Sequence, residues 1–201
     1  MLKRIFDTVT SGLVLLAVWP VILLAALITK VVSPGPPFYL AQRVGKDGAV
    51  FKMYKLRSMH LAANKGTAIT APSDARIFPF GRFVRKAKID ELPQFWNVLI
   101  GDMSIVGPRP EDPQIVADHY TGWMAETLET RPGITSPGAV FGYLKGDEYL
   151  MSEDVERAYA DNLLPKKLKI ELDYLRKASF LKDIGVIYQT ARAIFVTALQ
   201  R

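Results

Sequence analysis

Two adjacent carboxylates and a proline-flanked arginine are the residues of this chain whose types and spacing point most directly to chemistry. Asp90 and Glu91 open an Asp-Glu-Leu-Pro-Gln segment, and Arg109 follows in a Gly-Pro-Arg-Pro segment whose prolines limit backbone freedom. A carboxylate can bind Mg²⁺ or attack phosphorus, and the planar guanidinium of arginine pairs with phosphate oxygens. The pattern predicts a site for an anionic, phosphorylated substrate.

The same residues also have a purely structural interpretation. Asp90 has the short acceptor side chain favoured at a helix N-cap, and Pro93 is tolerated in a first helical turn. A helix is therefore predicted from Asp90 to Gly101. Successive helical residues point about 100° apart, so Asp90 and Glu91 are expected to have different roles. Capping and catalysis both remain open here. Four cations just before the pair favour catalysis: Arg82, Arg85, Lys86 and Lys88.

Composition limits the class of protein. A chain of 201 residues with 49% hydrophobic content is expected to form one domain with a real core. The net charge of +6 favours an anionic partner, whether nucleic acid, phospholipid or phosphorylated metabolite. The chain has no cysteine, which excludes disulfides, thiolate zinc sites and a cysteine nucleophile. His60 and His119 lack the spacing of metal ligands, so a zinc enzyme is disfavoured.

An uncharged segment near the N-terminus predicts a membrane helix. Its apolar part, residues 12–28, would be about 26 Å long as a helix, close to the roughly 30 Å hydrocarbon core. This run is longer than the apolar region of a usual signal peptide, so we expect it to be retained. Pro20 predicts a kink, and basic residues on both sides favour placing both ends in the cytoplasm. A re-entrant helix satisfies both features, and a single kinked span is the alternative.

The rest of the chain predicts a β-hairpin, a loop and three helices. Residues 37–45 and 49–57 alternate as two strands, with Lys55 and Arg57 on one face that is either solvated or substrate-binding. Residues 60–73 are predicted to form a loop or mobile flap. Helices are predicted over residues 153–162, 165–182 and 183–200. Lysines and arginines beside the apolar positions indicate either helices on an anionic membrane surface or core packing with a basic outer face.

In a series of short segments the chain resembles the bacterial sugar transferases, specifically the small monotopic phosphoglycosyl transferases. The segments occur in the family's order and extend over nearly the whole chain: residues 3–7, 51–59, 74–76, 80–85, 90–94, 101–104, 107–110 and 131–135. Larger members of the family add an N-terminal multi-span region, so the chain is expected to be the minimal form.

The resemblance implies a membrane-associated α+β fold with two parts. Residues 1–32 would form a re-entrant membrane helix, and residues 33–201 a mainly helical catalytic domain with a small β-hairpin and interfacial amphipathic helices. The implied location is the bacterial inner (cytoplasmic) membrane, with the catalytic domain on the cytoplasmic face. The implied reaction is Mg²⁺-dependent transfer of a phosphosugar from a UDP-sugar to polyprenol (undecaprenyl) phosphate, with release of UMP, at the start of membrane-linked glycan synthesis.

The resemblance also assigns roles to residues. Asp90 matches the family's nucleophile, which holds the phosphosugar covalently and is expected to contact Mg²⁺, and Glu91 completes the dyad. Four basic residues match positions expected to bind substrate phosphates or nucleotide: Lys55, Arg57, Arg85 and Arg109.

Two departures and two alternatives accompany this assignment. Trp19-Pro20 stands where the family usually has Ser-Pro, and Ser136-Pro137 stands where a Gly-Leu type of continuation is commoner. A catalytically silent membrane scaffold of a glycan-assembly complex is one alternative, which the intact acidic pair disfavours. A nucleic-acid binder is another, and the chain has no basic-aromatic motif to support it. A homodimer is compatible with the sequence, but no residue pattern selects it over a monomer.

Overall fold

The computed structural model describes residues 1–61, 74–151 and 154–200, with side chains to residue 197. Most of the predicted loop at residues 60–73 and the start of the helix predicted from residue 153 lie outside these ranges. The helices are α1 Leu2–Val32, α2 Pro79–Lys86, α3 Gln94–Ile100, α4 Pro113–His119, α5 Pro137–Tyr149, α6 Val155–Ala158, α7 Leu164–Leu175 and α8 Phe180–Gln200. The strands are β1 Phe38–Val44, β2 Val50–Leu56, β3 Ser104–Val106 and β4 Gly133–Thr135. The fold is thus mostly helical, with two small sheets.

Helix α1 is long and apolar enough to cross a membrane, judged by length and composition. Its 31 residues continue through Pro20, and its most apolar window has a mean hydropathy of 2.6. Large apolar side chains such as those of Leu13, Leu16 and Trp19 are exposed along it. These features fit an apolar environment around α1.

Both ends of α1 are bound to the rest of the fold. Near its start, Arg4 donates hydrogen bonds to the carbonyls of Val98 (2.6 Å) and Leu99 (3.1 Å), where a cation complements the carboxyl end of α3. One turn later, the buried Asp7 accepts hydrogen bonds from the hydroxyl of Ser104 (2.7 Å) and the N–H of Ile105 (3.2 Å). The segment of residues 3–7 therefore attaches α1 to α3 and β3.

At its other end, α1 packs against the hairpin and α2. Ala25 and Ala26 lie in a buried cluster with Leu56 and Val84. The small alanine side chains allow close approach of the helix at this point. Helix α1 is therefore held at both ends by the same body of secondary structure.

The predicted hairpin is confirmed. Strands β1 and β2 pair antiparallel, from Phe38 opposite Leu56 to Val44 opposite Val50, through a 3₁₀ turn at Lys46–Gly48. Asn97 of α3 holds strand β2 of the hairpin, because its side-chain amide accepts a hydrogen bond from Tyr54 N–H (2.9 Å) and donates one to the carbonyl of Lys52 (2.8 Å).

A second, parallel pair joins β3 to β4 and was not predicted. Ser104 lies opposite Gly133, and Val106 opposite Thr135. A Cβ atom at Gly133 would lie 2.2 Å from the nitrogen of Gly107, so only glycine permits this approach. The pairing brings together the Gly-Pro-Arg-Pro segment (residues 107–110) and the Arg-Pro-Gly-Ile-Thr segment (residues 131–135).

Three predicted helix boundaries are wrong. The first α-helix after the acidic pair begins at Gln94, not at Asp90, because residues Ile89–Glu91 form a separate 3₁₀ turn. The helix predicted over residues 165–182 ends at Leu175, and α8 begins at Phe180, before the predicted start at residue 183. The helix predicted to residue 162 is α6, which continues as a π-helical turn at Tyr159–Leu163.

Candidate active site

The predicted site residues all line one cavity of about 900 Å³. Its walls come from the hairpin, the 3₁₀ turn at Ile89–Glu91, the Gly-Pro-Arg-Pro segment and helices α5, α7 and α8. The predicted residues among its lining are Lys55, Arg57, Arg85, Asp90, Glu91 and Arg109. The structure therefore brings together carboxylates and cations that are up to 54 positions apart in the chain (109 − 55 = 54).

A strained residue aims the acidic pair into this cavity. Lys88 has φ 57° and ψ 19°, a left-handed conformation that non-glycine residues rarely adopt. The 3₁₀ turn starts directly after it, so Asp90 and Glu91 lie on a tight turn rather than on a regular helix. The N-cap interpretation of Asp90 is therefore wrong, because its side chain caps no helix.

Glu91 is held ionised by cations. Its Oε1 accepts a hydrogen bond from Arg109 Nη2 (3.0 Å) and lies 3.6 Å from Lys88 Nζ. Burial favours the neutral acid, but Arg109, Lys88 and Lys55 outweigh it and hold the pKa of Glu91 well below its usual range. Glu91 therefore positions Arg109 and is a poor candidate for a proton donor.

Asp90 has the opposite electrostatic character. It is only 5% exposed, and its Oδ1 is enclosed with no hydrogen-bond partner. Burial, and next the carboxylate of Glu91, raise the pKa of Asp90, while Lys55, Arg85 and Lys88 lower it less. No described residue donates to its Oδ2, which is not enclosed. A buried carboxylate without partners beside several cations is suited to bind a cation or an electrophile.

Lys55 is the cation whose charge is most sensitive to its surroundings. Burial lowers its pKa to about 8, although Glu91 and Asp90 act in the opposite direction. A bound polyphosphate would add negative charge and keep this ammonium protonated.

Arg57 has a different set of contacts from the other predicted cations. Its guanidinium donates to the carbonyl of Pro34 (3.0 Å) and to that of Ser33, so it holds the chain that leaves α1. It is 4% exposed, and its Nε is enclosed without a partner. The structure thus gives Arg57 an evident positioning contact, while binding of substrate by Arg57 stays a prediction.

Arg82 and Lys86 do not belong to the cavity. Both side chains are exposed on α2, whereas Arg85 of the same helix lines the cavity, with Nη1 3.5 Å from the hydroxyl of Ser58. Lys86 lies four positions after Arg82 and shares its face, whereas Arg85 is rotated about 100° around the helix from Lys86.

Three cavity residues were missed as a site by sequence reasoning. Glu111, Tyr159 and Lys167 form a buried, hydrogen-bonded cluster beside Arg109. Lys167 is one of the basic residues of the C-terminal helices, which the sequence predicts either on a membrane surface or on a basic outer face, but it is only 7% exposed. The signal was available in part, since Glu111 lies two residues after Arg109, but nothing in the spacing linked it to α7.

Glu171 supports the site from outside the cavity. It is 1% exposed, accepts a hydrogen bond from the hydroxyl of Ser136, and lies so close to Gly138 that a Cβ there would be 2.6 Å from its Oε1. Ser136 caps α5 by accepting from Ala139 N–H (2.9 Å). At Ser136-Pro137, where the chain departs from the family's usual sequence, Ser136 therefore caps α5 and is hydrogen-bonded to α7. Burial raises the pKa of Glu171 to about 7.

This pKa predicts a pH-dependent stability. The folded carboxyl titrates near 7 and the unfolded one near 4.5, so the folded state binds more protons between these values, and stability falls as the pH rises through that window. The protonation of Glu171 can change the free energy of unfolding by at most about 3 kcal/mol across this window. In Glu171→Gln this contribution is gone. Thermal unfolding of detergent-purified protein should show the variant's Tm rising relative to the parent's between pH 5 and pH 7.5. Parallel Tm curves would contradict the assignment.

The chain is similar to known proteins over almost its whole length. Residues 1–197 match the model of the bacterial sugar transferase family. The chain is 36% identical over 199 residues to a UDP-glucose:undecaprenyl-phosphate glucose-1-phosphate transferase of Caulobacter vibrioides, covering 97% of this chain and 70% of the relative. It is also 36% identical over 194 residues to the enzyme of that name from Xanthomonas campestris pv. campestris, covering 94% of this chain and 38% of the relative.

A third relative acts on a different sugar nucleotide. It is the UDP-N-acetylgalactosamine-undecaprenyl-phosphate N-acetylgalactosaminephosphotransferase of Aeromonas hydrophila, 34% identical over 198 residues, which cover 96% of this chain and 43% of the relative. The chain thus spans less than half the length of two of these three relatives. The match over almost the whole chain nevertheless shows that it belongs to the bacterial sugar transferase family.

Proposed function

We propose that the protein transfers a sugar phosphate from a UDP-sugar to undecaprenyl phosphate, with release of UMP. The observation that carries this proposal is the carboxylate of Asp90, which is buried with an unpartnered oxygen in a cavity lined by cations. The named relatives are undecaprenyl-phosphate sugar phosphotransferases, which supports the substrate classes.

The reaction proceeds in two displacements at one phosphorus. Asp90 Oδ2 attacks the β-phosphorus of the UDP-sugar, an aspartyl-phosphosugar bond forms, and the bond to the bridging oxygen breaks as UMP leaves. A phosphate oxygen of undecaprenyl phosphate then attacks the same phosphorus, and the carboxylate of Asp90 is released. Lys55, Arg85 and Arg109 offset the charge of the phosphates, which would otherwise repel the attacking carboxylate.

The residues fit Mg²⁺ as a cofactor. Among the described residues no group of three or more His, Asp or Glu side chains is suited to a metal. Asp90, whose carboxylate has an unpartnered oxygen, is the protein group that would hold the ion. Mg²⁺ is commonly bound by one or two carboxylates together with substrate phosphates and water. When bound, the ion would neutralise phosphate charge and lower the raised pKa of Asp90.

We also propose that α1 is re-entrant in the inner membrane, with the cavity on the cytoplasmic face. Arg4 and Asp7 bind one end of α1 to α3 and β3, and Arg57 binds the chain after its other end. A span that crossed the bilayer would carry these ends to opposite sides. Helix α8 also exposes apolar side chains for contact with the membrane surface, at Leu181, Ile184, Tyr188 and Phe195.

The topology is tested by cysteine labelling, because the chain has no native cysteine. Leu2→Cys and Pro36→Cys both replace exposed residues outside the cavity. In sealed inside-out vesicles, an impermeant maleimide should label both positions. Labelling of only one of the two, with the other reached only after permeabilisation, would show a single span instead.

The activity is tested by UMP release from UDP-glucose, UDP-galactose and UDP-N-acetylgalactosamine, with Mg²⁺ and with or without undecaprenyl phosphate. The proposal predicts that the acceptor stimulates release with at least one donor and that chelation of Mg²⁺ stops it. Folded protein that binds a donor without releasing UMP would instead be a silent scaffold.

A further inference from the structure

The buried cluster of Glu111, Tyr159 and Lys167 has no part in the two displacements, although it lines the same cavity. Glu111 Oε1 accepts from Tyr159 Oη (2.5 Å) and from Lys167 Nζ (2.9 Å), and Lys167 Nζ also donates to Tyr159 Oη (2.7 Å). Three segments of the chain supply these residues, so the cluster is built by the fold and not by local sequence.

Lys167 is poorly placed to bind a phosphate. Its ammonium has two of its donors directed to Glu111 and Tyr159 and lies 4.9 Å from the centre of the Tyr159 ring. The ion pair with Glu111 neutralises its charge locally. The cationic side chains of the cavity that are placed to bind phosphate therefore lie elsewhere, near Asp90.

Glu111 keeps one oxygen available. Both donors of the cluster converge on its Oε1, and no described residue donates to its Oε2. That oxygen is not among the enclosed polar atoms without partners, so it retains accessible surface. Burial favours the neutral acid, yet Lys167, first among the opposing groups, holds the pKa of Glu111 below its usual value. The available oxygen thus belongs to a carboxylate, which can only accept hydrogen bonds.

The chemistry of this carboxylate selects the class of group that it binds. A carboxylate repels phosphate, whereas the hydroxyl pairs of sugars are donors that Asp and Glu commonly bind in nucleotide sites. A UDP-sugar has such hydroxyls in two places, on the ribose and on the transferred sugar. Arg109 connects the two parts of the cavity, since it pairs with Glu91 and is affected by the charge of Glu111.

We propose that Glu111, held by Tyr159 and Lys167, binds sugar hydroxyls of the donor and so contributes to its recognition. This inference rests on the proposed function for the identity of the donor. The ligand class is a polyhydroxylated ring attached to a diphosphate, and the ribose and the transferred sugar are the two sources that the test separates.

The test is calorimetric titration of detergent-purified protein with UMP, UDP and the three UDP-sugars, in the presence of Mg²⁺. Every protein also carries Asp90→Asn, so that no turnover occurs. Glu111→Gln should raise the Kd of the donor roughly 10- to 100-fold, as expected for a lost hydrogen bond to a charged group. An increase confined to UDP-sugars assigns the transferred sugar, and an equal increase for UDP and UDP-sugars assigns the ribose.

Kd values of Glu111→Gln that stay within twofold of the parent's for every ligand would overturn the inference, as would a parent that binds none of them. The proposed function is judged separately, by UMP release from protein that retains Asp90. A shift in Kd without any UMP release would therefore retain the binding site and reject the transferase.

Further variants guard against misfolding, because Glu111→Gln leaves Lys167 buried without its counter-charge. Glu111→Gln with Lys167→Gln removes both charges, and Tyr159→Phe keeps the ion pair but removes the hydroxyl that orients it. Both should raise the Kd of the same ligand as Glu111→Gln does. Glu148→Gln and Tyr149→Phe, outside the cavity, are matched controls that should leave every Kd unchanged.

Discussion

Replacement of Asp90 by Asn should reduce UMP release by a factor of the order of 10⁴ or more, the largest effect that this site predicts. The amide keeps the shape of the carboxylate but cannot form the bond to phosphorus. The loss should appear with and without undecaprenyl phosphate, because release of UMP depends on the first displacement. The measurement is the initial rate of UMP release with each donor.

The stability of this variant provides an internal control. Burial raises the pKa of Asp90, which means that the ionised carboxylate is costly in the folded protein. Asp90→Asn should therefore melt at or above the parent's Tm. Asp161→Asn, which changes an exposed carboxylate on the π-helical turn, should keep full activity. Release by Asp90→Asn at more than a tenth of the parent's rate would rule out Asp90 as the nucleophile.

Replacement of Arg109 by Lys should reduce kcat/KM by roughly 10²- to 10³-fold, the range seen when one donor to a developing charge is lost. Lysine keeps the positive charge but not the planar fork, which can hold Glu91 through Nη2 while other N–H groups face the cavity. The Gly-Pro-Arg-Pro segment and the β3–β4 pairing fix this geometry. Steady-state rates over a range of donor concentrations measure the change.

Two comparisons make the Arg109 result specific. Arg157→Lys alters an exposed arginine that pairs with Asp161, and its kinetics should match the parent's. Glu91→Gln keeps Arg109 but weakens the contact that positions it, so it should show a smaller loss than Arg109→Lys. A fully active Arg109→Lys protein would mean that charge alone, and not the fork, is needed at this position.

The hairpin illustrates what local sequence can predict. The alternation in residues 37–57 and the short turn between its two halves fix both the strands and their register, because strand pairing here is local. The parallel pairing of Ser104 with Gly133 could not be predicted in this way. Each strand has only three residues, and their partners lie 29 positions apart (133 − 104 = 29), so neither periodicity nor turn chemistry marks them.

The acidic pair was predicted with an incorrect local structure, although both of its residues line the cavity. Asp90 was identified from residue types and resemblance, and the cavity contains it as expected. Its backbone was predicted as a helix start because Asp and Pro93 fit that role. The left-handed Lys88 is stabilised by tertiary contacts, including one between its ammonium and the Tyr143 ring at 4.7 Å. Propensity scales carry no such information.

Lys167 is a residue of the cavity that the sequence pattern did not identify. A lysine on a helix rich in basic residues is usually exposed, and the pattern of α7 gave no reason to treat this one differently. Its burial depends on Glu111, 56 positions earlier, which supplies the counter-charge. Such pairs are visible only once the fold has brought the two segments together.

In the proposed mechanism, Asp90 forms a covalent bond to the transferred phosphosugar. It is tested most directly by intact-protein and peptide mass spectrometry after rapid mixing with UDP-sugar and Mg²⁺ in the absence of undecaprenyl phosphate. We expect a mass increase of one sugar phosphate, located on the peptide that contains Asp90, missing in Asp90→Asn and lost on addition of acceptor. UMP release that strictly requires both substrates, with no adduct at any time, would contradict it and indicate direct transfer.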